Sequence, residues 1–310
     1  MASITTALVA HFLQSQFDGS VSDVSLIGSG MFSQAFSFTL DRQSFIIRLN
    51  ACQEDFQKDA FAYQQFTSSK LPISRVIQSG RFNELYYFAI TERCIGVTLN
   101  DMEPQEIEQV LPKLFDTLLA IHTLDSSDYP GWGLTDASGQ GRFASWQSYL
   151  LSFYNQKFPF TWKQLIQDTF MEQEIYDKAL AIILKDLEFC SSGKYWVHGD
   201  FGFGNVISDR QQITGVLDWA ELLLGDYVYD IAYLEFWSED ICYKQQWQHW
   251  AKDKEIDLSL CYFEERLRCY MLHIGLKGLA IAAIRNDPED YVQVRARIQK
   301  ILDVDRSTLF

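Results

Sequence analysis

Three side chains close together in the chain, Asp200, Asn205 and Asp218, have the oxygen atoms and the spacing that a metal-assisted phosphoryl transfer requires. They fall in the stretch W-V-H-G-D-F-G-F-G-N-V-I-S-D-R-Q-Q-I-T-G-V-L-D-W, which runs from Trp196 to Trp219. Asp200 lies in a turn bracketed by Gly199, Gly202 and Gly204, where neither helix nor strand is favoured, so its carboxylate can be presented at the rim of a cleft. Asn205 and Asp218 stand at the edges of two apolar runs, Val206-Ile207 and Ile213 to Leu217, joined by the polar link Ser208 to Gln212. That pattern predicts a hairpin, which brings the two oxygen donors together. Hard Mg²⁺ is held by one or two such groups while nucleotide phosphates and water complete its shell. The competing reading is an acidic turn beside a buried hairpin.

The elements that must position these groups begin with a short amphipathic helix through Ile4, Leu8, His11 and Phe12, ended by Asp18-Gly19. Strands are expected at Val24 to Ile27, Ala35 to Leu40 and Ser44 to Leu49, with turns at Gly28 to Phe32 and Asp41 to Gln43. The first turn, with Gly28, Ser29, Gly30 and Ser33, can fold over nucleotide phosphates because glycines let backbone N–H groups approach an anion; an ordinary hairpin turn would look similar. Alternation in the third strand puts Phe45, Ile47 and Leu49 on one face and Ile46 with Arg48 on the other. An arginine in an apolar strand calls for an anionic partner. Gln53 to Ser68 reads as a helix with Phe56, Ala60, Tyr63 and Phe66 on its buried side, and Val76-Ile77 and Leu85 to Ile90 supply two further strands. From Pro104 the apolar period changes from 2 to 3.6. Helices are expected at Glu103 to His122, Ser145 to Tyr154, Met171 to Phe189, Asp226 to Trp237, Ser259 to Ala283 and Asp290 to Val304, with Asp125 to Arg142 a long loop.

Composition bounds the function. A chain of 310 residues, 47% apolar and 15% aromatic, buries a sizeable core. Its formal charge of −15 argues against a nucleic-acid partner, which needs a basic face, and suits a cationic one; it also simply keeps copies of a soluble protein apart. The six cysteines are scattered with no C-x-x-C pair, so neither a zinc site nor a disulfide framework is indicated. Met1 to Gln16 lacks a basic leader and a cleavage site, and no run of 18 apolar residues appears, so a cytoplasmic, soluble monomer without membrane contact is expected.

His198-x-Asp200-x-x-x-x-Asn205 followed by Leu217-Asp218-Trp219 resembles the catalytic loop and metal motif of the aminoglycoside phosphotransferases, small-molecule relatives of the protein kinases. Ala35-Phe36-Ser37-Phe38, Leu71-Pro72-Ile73, Gly96-Val97-Thr98-Leu99 and Tyr270-Met271-Leu272 narrow the likeness to those that act on hygromycin B, from about Ser29 to the last helices. The resemblance implies a protein-kinase-like, two-lobed α+β fold: residues 1–94 an antiparallel-sheet nucleotide lobe with one main helix, residues 95–310 a mostly helical lobe with the catalytic loop and substrate site. It implies Asp200 as the base that orients the acceptor hydroxyl and takes its proton, and Asn205 and Asp218 as ligands of Mg²⁺. Arg48 stands where the family contacts the α- and β-phosphates of ATP or GTP, although lysine is usual there. Ile46 falls where the adenine is covered, Asp59, with Asp55 and Glu54 as rivals, where the acidic partner of Arg48 lies, and Thr91 to Cys94, including Arg93, at the hinge. His198, Asp226 and Asp230 are read as scaffold.

Between Trp196 and Asp240 nine carboxylates face one basic residue, Arg210. Among those not assigned to metal, catalysis or scaffold, Glu221, Glu235, Glu239 and Asp240 are the candidates for binding ammonium groups. Trp237, and after it Trp219, can stack on a sugar face or meet an ammonium through its π-cloud. The expectation is a kinase of a cationic amino sugar, with hygromycin B the first acceptor to try. A kinase of another small cationic or sugar metabolite is the alternative, and a nucleotide-binding regulatory pseudoenzyme is the alternative from another class.

Overall fold

The computed structural model describes residues 4–30, 33–155, 161–190, 193–238, 240–256, 258 and 260–303. The chain divides into two compact units. One combines Met1–Met102, Asp136–Gly139 and Gly204–Ala220; the other combines Glu103–Thr135, Gln140–Phe203 and Glu221–Phe310. In chain order the first contributes α1 (Thr6–Gln16), β1 (Val21–Ser29), β2 (Ser33–Leu40), β3 (Gln43–Asn50), α2 (Gln53–Phe66), β4 (Val76–Arg81), β5 (Tyr87–Glu92) and β6 (Val97–Thr98). The second contributes α3 (Pro104–His122), β7 (Trp132–Thr135), β8 (Gly141–Phe143), α4 (Trp146–Asn155), α5 (Trp162–Asp168), α6 (Gln173–Asp186) and β9 (Tyr195–Val197). The first takes β10 (Val206–Ser208) and β11 (Ile213–Val216), and the second ends with β12 (Leu223–Gly225), α7 (Val228–Trp237), α8 (Tyr243–Asp253), α9 (Phe263–Arg285) and α10 (Pro288–Asp303).

In the first unit an antiparallel sheet is ordered β1-β2-β3-β5-β4. Strand alternation builds its core: Phe45, Ile47 and Leu49 of β3 are buried with Phe36, Phe38, Phe88 and Ile90, while Ile46 and Arg48 point to the other face. α1 covers that core through Val9 and Leu13, both fully buried, and leaves Leu8 and His11 exposed. The stripe is therefore rotated by about one residue from the one expected through Leu8 and His11. Apolar residues at 4, 7, 8, 9, 12 and 13 allow either face, and the sheet selects the β-branched and leucine pair four residues apart. A second sheet, ordered β11-β10-β6, places the stretch 204–220 in this unit, with Val206 opposite Val216 and the N–H of Val216 donating to the Pro72 carbonyl at 2.8 Å.

The second unit wraps helices around a four-stranded antiparallel sheet ordered β8-β7-β12-β9. β7 and the start of β8 lie in the stretch 125–142, expected as a loop; both are too short to show a period, and only pairing, of β7 with β12 and of β8 with β7, defines them. α5 and α8 were likewise not expected. α8 is Lys/Gln-rich, but its aromatic stripe, Tyr243, Trp247 and Trp250, is buried. The expected helix from Ser259 begins at Phe263, Ser259 itself lying outside the described residues, and that expected to end at Val304 ends, as described, at Asp303. α9 is long and apolar enough to cross a membrane, yet 72% of its most apolar window is buried, and it packs against α6, α7 and α10 as the central helix. Buried Asp226 accepts from both Arg266 of α9 and the hydroxyl of Tyr270, at 2.6 Å from the latter, and Tyr270 in turn accepts from the Trp146 indole at 2.9 Å. Each buried polar group of this set thereby has a partner.

Candidate active site

In the first unit a cavity of about 380 Å³ opens on the β3 and β5 face, lined among others by Ile46, Arg48, Asp59, Thr91, Arg93 and Asp218. Alternation in β3 sends Ile46 and Arg48 there together, and Ile46 lies opposite Thr91 in register. Arg48 meets the anionic partner that its apolar strand demands: its guanidinium is ion-paired with Asp59 of α2, and Nη1 lies 3.5 Å from Asp218 Oδ2. Its plane also lies over the Phe56 ring, 5.4 Å from the centroid. Asp59 uses its other oxygen, Oδ1, to accept the N–H of Trp219 at 2.9 Å. One α2 carboxylate thus bridges Arg48 and the segment just after Asp218.

The β10–β11 hairpin sets the two proposed metal donors side by side. Leu217 N–H donates to the Asn205 carbonyl at 2.8 Å, so Asn205 and Asp218 flank the open end of the hairpin. Asp218 has φ 60°, a left-handed conformation that costs a non-glycine residue energy and persists where its surroundings hold it. Two hard oxygen donors from the protein, beside an arginine at a cavity wall, fit Mg²⁺, which takes one or two protein groups and leaves its other positions to phosphates and water. The described residues contain no group of three or more His, Cys, Asp or Glu that could hold a metal ion. Gly28 lines the cavity, whereas Ser29 at the end of β1, Gly30 and Ser33 at the start of β2 are not among its lining residues; Gly30 N–H donates to the Ser33 carbonyl at 2.8 Å. Asp55 adds a further acid: burial pushes its carboxyl up, and the nearby Asp218 charge pushes the same way.

Asp200 belongs to the second unit, in the turn after β9. That turn is held from α7: Asp230, fully buried, accepts the N–H of His198 at 3.0 Å and of Gly199 at 2.9 Å, and lies 3.0 Å from His122 Nε2. Gly199 has φ 82°, and a Cβ there would sit 2.2 Å from the Glu221 carbonyl oxygen, so only glycine fits. The buried His198 ring accepts the Asp200 N–H at Nδ1, 3.3 Å away, which makes it a loop scaffold. One residue near Asp200 had no local signal. Tyr233, one helical turn after Asp230 on α7, lies beside Asp200: its ring is 3.0 Å from where a Cβ on Gly202 would be, and burial, then the Asp200 charge, hold its phenol well above the ordinary range.

The residues expected to bind a cationic acceptor separate in the second unit. Glu221 pairs with Lys277 at 2.9 Å; burial pushes that ammonium down, but the Glu221 carboxylate with the Tyr149 and Tyr233 phenols together outweigh it and hold it above its ordinary value. Glu235 accepts the N–H of Lys244 at 2.9 Å in the first turn of α8, and burial raises its carboxyl. Both acids are engaged within the fold. Trp237 is half-buried, its ring packed on Phe236 and Tyr233 with the Arg297 guanidinium 5.9 Å from its centroid. Asp240 is exposed, and Glu239 lies outside the described residues. Trp219, of the first unit, is only 1% exposed, packs against Phe66 and donates its indole N–H to the Val216 carbonyl, so it is a core residue and not a sugar-stacking one.

Strand order β1-β2-β3-β5-β4 with α2 inserted after β3, an arginine–acid pair joining them, and an acid-bearing glycine turn in a helical unit define the class as a kinase-like phosphotransferase fold. The sequence pattern of the phosphotransferase enzyme family matches residues 23–257, and the chain belongs to that family. It is 31% identical over 299 residues to the hygromycin-B 4-O-kinase of Escherichia coli, covering 96% of this chain and 86% of that one. The crystal structure of aminoglycoside phosphotransferase APH(4)-Ia superposes with a TM-score of 0.82 at 32% identity over 96% of this chain and 98% of that one. A thermostable mutant of it, in ternary complex with AMP-PNP and hygromycin B, gives 0.81 at 31% over 95% and 97%. An aminoglycoside 2″-phosphotransferase with GDP and kanamycin, 13% identical with a TM-score of 0.67 over 97% and 99%, shares the fold alone.

Proposed function

We propose that this phosphotransferase moves the γ-phosphate of ATP to a hydroxyl of hygromycin B or a closely similar aminoglycoside, with Mg²⁺ as cofactor, in the cytoplasm. The observation that carries the acceptor is the 31% identity, over nearly the whole chain, to a hygromycin-B 4-O-kinase, together with the fold shared with a protein captured with AMP-PNP and hygromycin B. Asp200 is assigned to the acceptor hydroxyl, which it orients and whose proton it takes as the phosphoryl group arrives. Tyr233 stands beside that carboxylate with its phenol held protonated by burial and the Asp200 charge. Arg48 neutralises nucleotide phosphate, with Asp59 holding its guanidinium; Ile46, Thr91 and Arg93 form the wall against the base, and Gly28, on the cavity wall, borders the phosphates. Asn205 and Asp218 are assigned to Mg²⁺, which when bound neutralises phosphate charge that develops in the loose transition state.

For the acceptor, Trp237 and the exposed Asp240 are the contacts we assign, since Glu221 and Glu235 are engaged with Lys277 and α8. The test is turnover of purified protein with ATP or GTP and Mg²⁺ against hygromycin B, other aminoglycosides, choline, homoserine and methylthioribose. Phosphorylated hygromycin B is the expected product. Turnover confined to the last three compounds would end the antibiotic reading, and nucleotide binding without transfer to any acceptor would favour a regulatory pseudoenzyme.

A further inference from the structure

α2 buries two opposite charges in succession, Lys58 at 2% exposure and Asp59 at 5%. A buried ammonium is tolerated only where oxygen acceptors meet it. The Lys58 ammonium donates to the Ala220 carbonyl at 2.7 Å, and Asp59 accepts the Trp219 N–H at 2.9 Å. Consecutive α2 side chains therefore grip one donor and one acceptor of the backbone that directly follows Asp218. Asp218 itself sits in the left-handed region, a conformation that relaxes unless its flanks are held. Arg48 reaches its carboxylate from the other side at 3.5 Å.

From this we infer that Lys58 is a positioning residue for Asp218: its bond to the Ala220 carbonyl keeps the backbone turned so that the Asp218 carboxylate faces the cavity. The inference rests on the reading of Asp218 as a Mg²⁺ ligand. It differs from the Arg48–Asp59 pair, because Lys58 acts on backbone and touches neither nucleotide nor acceptor in that reading.

Lys58→Met removes the donor while keeping the length of the side chain. Two readouts are used, neither requiring turnover: amide hydrogen exchange of residues 217–221 in the nucleotide-free protein, and the Mg²⁺ concentration giving half-maximal binding of a fluorescent ATP analogue. Exchange at the Trp219 amide should quicken by about tenfold or more as the segment opens locally, and half-saturating Mg²⁺ should rise by about tenfold, the scale seen when a group supporting a metal ligand is lost. Lys58→Arg, which retains a donor, should recover most of both. A folded Lys58→Met protein with both values within about twofold of the parent would overturn the inference. Should that variant not fold, Lys58→Gln, whose amide is too short to reach the carbonyl, is judged on the same two thresholds. Asp218→Ala run in parallel separates the premises: if it leaves the Mg²⁺ dependence intact the ligand reading fails, whereas an altered Asp218→Ala beside an unaltered Lys58→Met sinks only the positioning role.

Discussion

Asp230 accepts the backbone N–H of Gly199 at 2.9 Å, and the two residues come from elements that are far apart in the chain. The same carboxylate takes the His198 N–H and faces His122 Nε2, so one buried side chain of α7 fixes the entry to the turn that carries Asp200. Removing it leaves two N–H groups and a histidine facing nothing. Asp230→Ala is expected to cost about 3 kcal/mol or more of stability, read by chemical denaturation, and to lower kcat while nucleotide affinity stays within about twofold. Unchanged kcat would show that the turn holds its shape without α7.

Asp200→Ala is expected to lower kcat by about 10²-fold or more with nucleotide binding retained, because only acceptor activation is lost. Asp218→Ala is expected to weaken Mg-nucleotide binding as well as turnover. Calorimetric titration of both variants distinguishes them; a pattern with the two reversed would exchange the assigned roles.

Tyr233→Phe removes the phenol hydroxyl beside Asp200 and keeps the ring. It is expected to lower kcat by about tenfold, with the acceptor KM nearly unchanged, read by steady-state kinetics. An unchanged kcat would mean that Tyr233 contributes packing alone.

Burial, and then the Lys277 charge, push the His273 imidazole down from its ordinary 6.5 to about 3, and Tyr154 hydroxyl shares a hydrogen bond with its Nδ1 at 2.9 Å. The folded form therefore holds this ring neutral where the unfolded chain protonates it. Its contribution is complete above pH 6.5 and is lost as pH falls toward 3, at about 1.4 kcal/mol per pH unit through one proton. Urea unfolding at successive pH values, compared with His273→Gln, should show a steeper acid dependence in the parent; equal slopes would contradict it.

Much of the fold and part of the site were legible before the structure. Period 2 in Phe45, Ile47 and Leu49 predicted which way Arg48 points, and the polar link Ser208 to Gln212 predicted the β10–β11 hairpin. What escaped depended on distant partners. β7 exists through β12 and β8 through β7, α8 hides aromatic residues behind a polar sequence, and Lys58 looks like any helix-surface lysine until Ala220 meets it.

The order of residues alone determined the chemistry on offer: two acids and an amide with hard oxygens at spacings that a turn and a hairpin carry, because local periodicity and turn preferences act over a few residues. Only the tertiary structure decided which charges remain for chemistry. Glu221 is engaged by Lys277 and Glu235 by the start of α8, while Arg48, Asp59 and Asp218 converge on one cavity in the first unit. Coulombic and hydrogen-bond partners are chosen by distance in space, and a chain written in one dimension does not contain that distance.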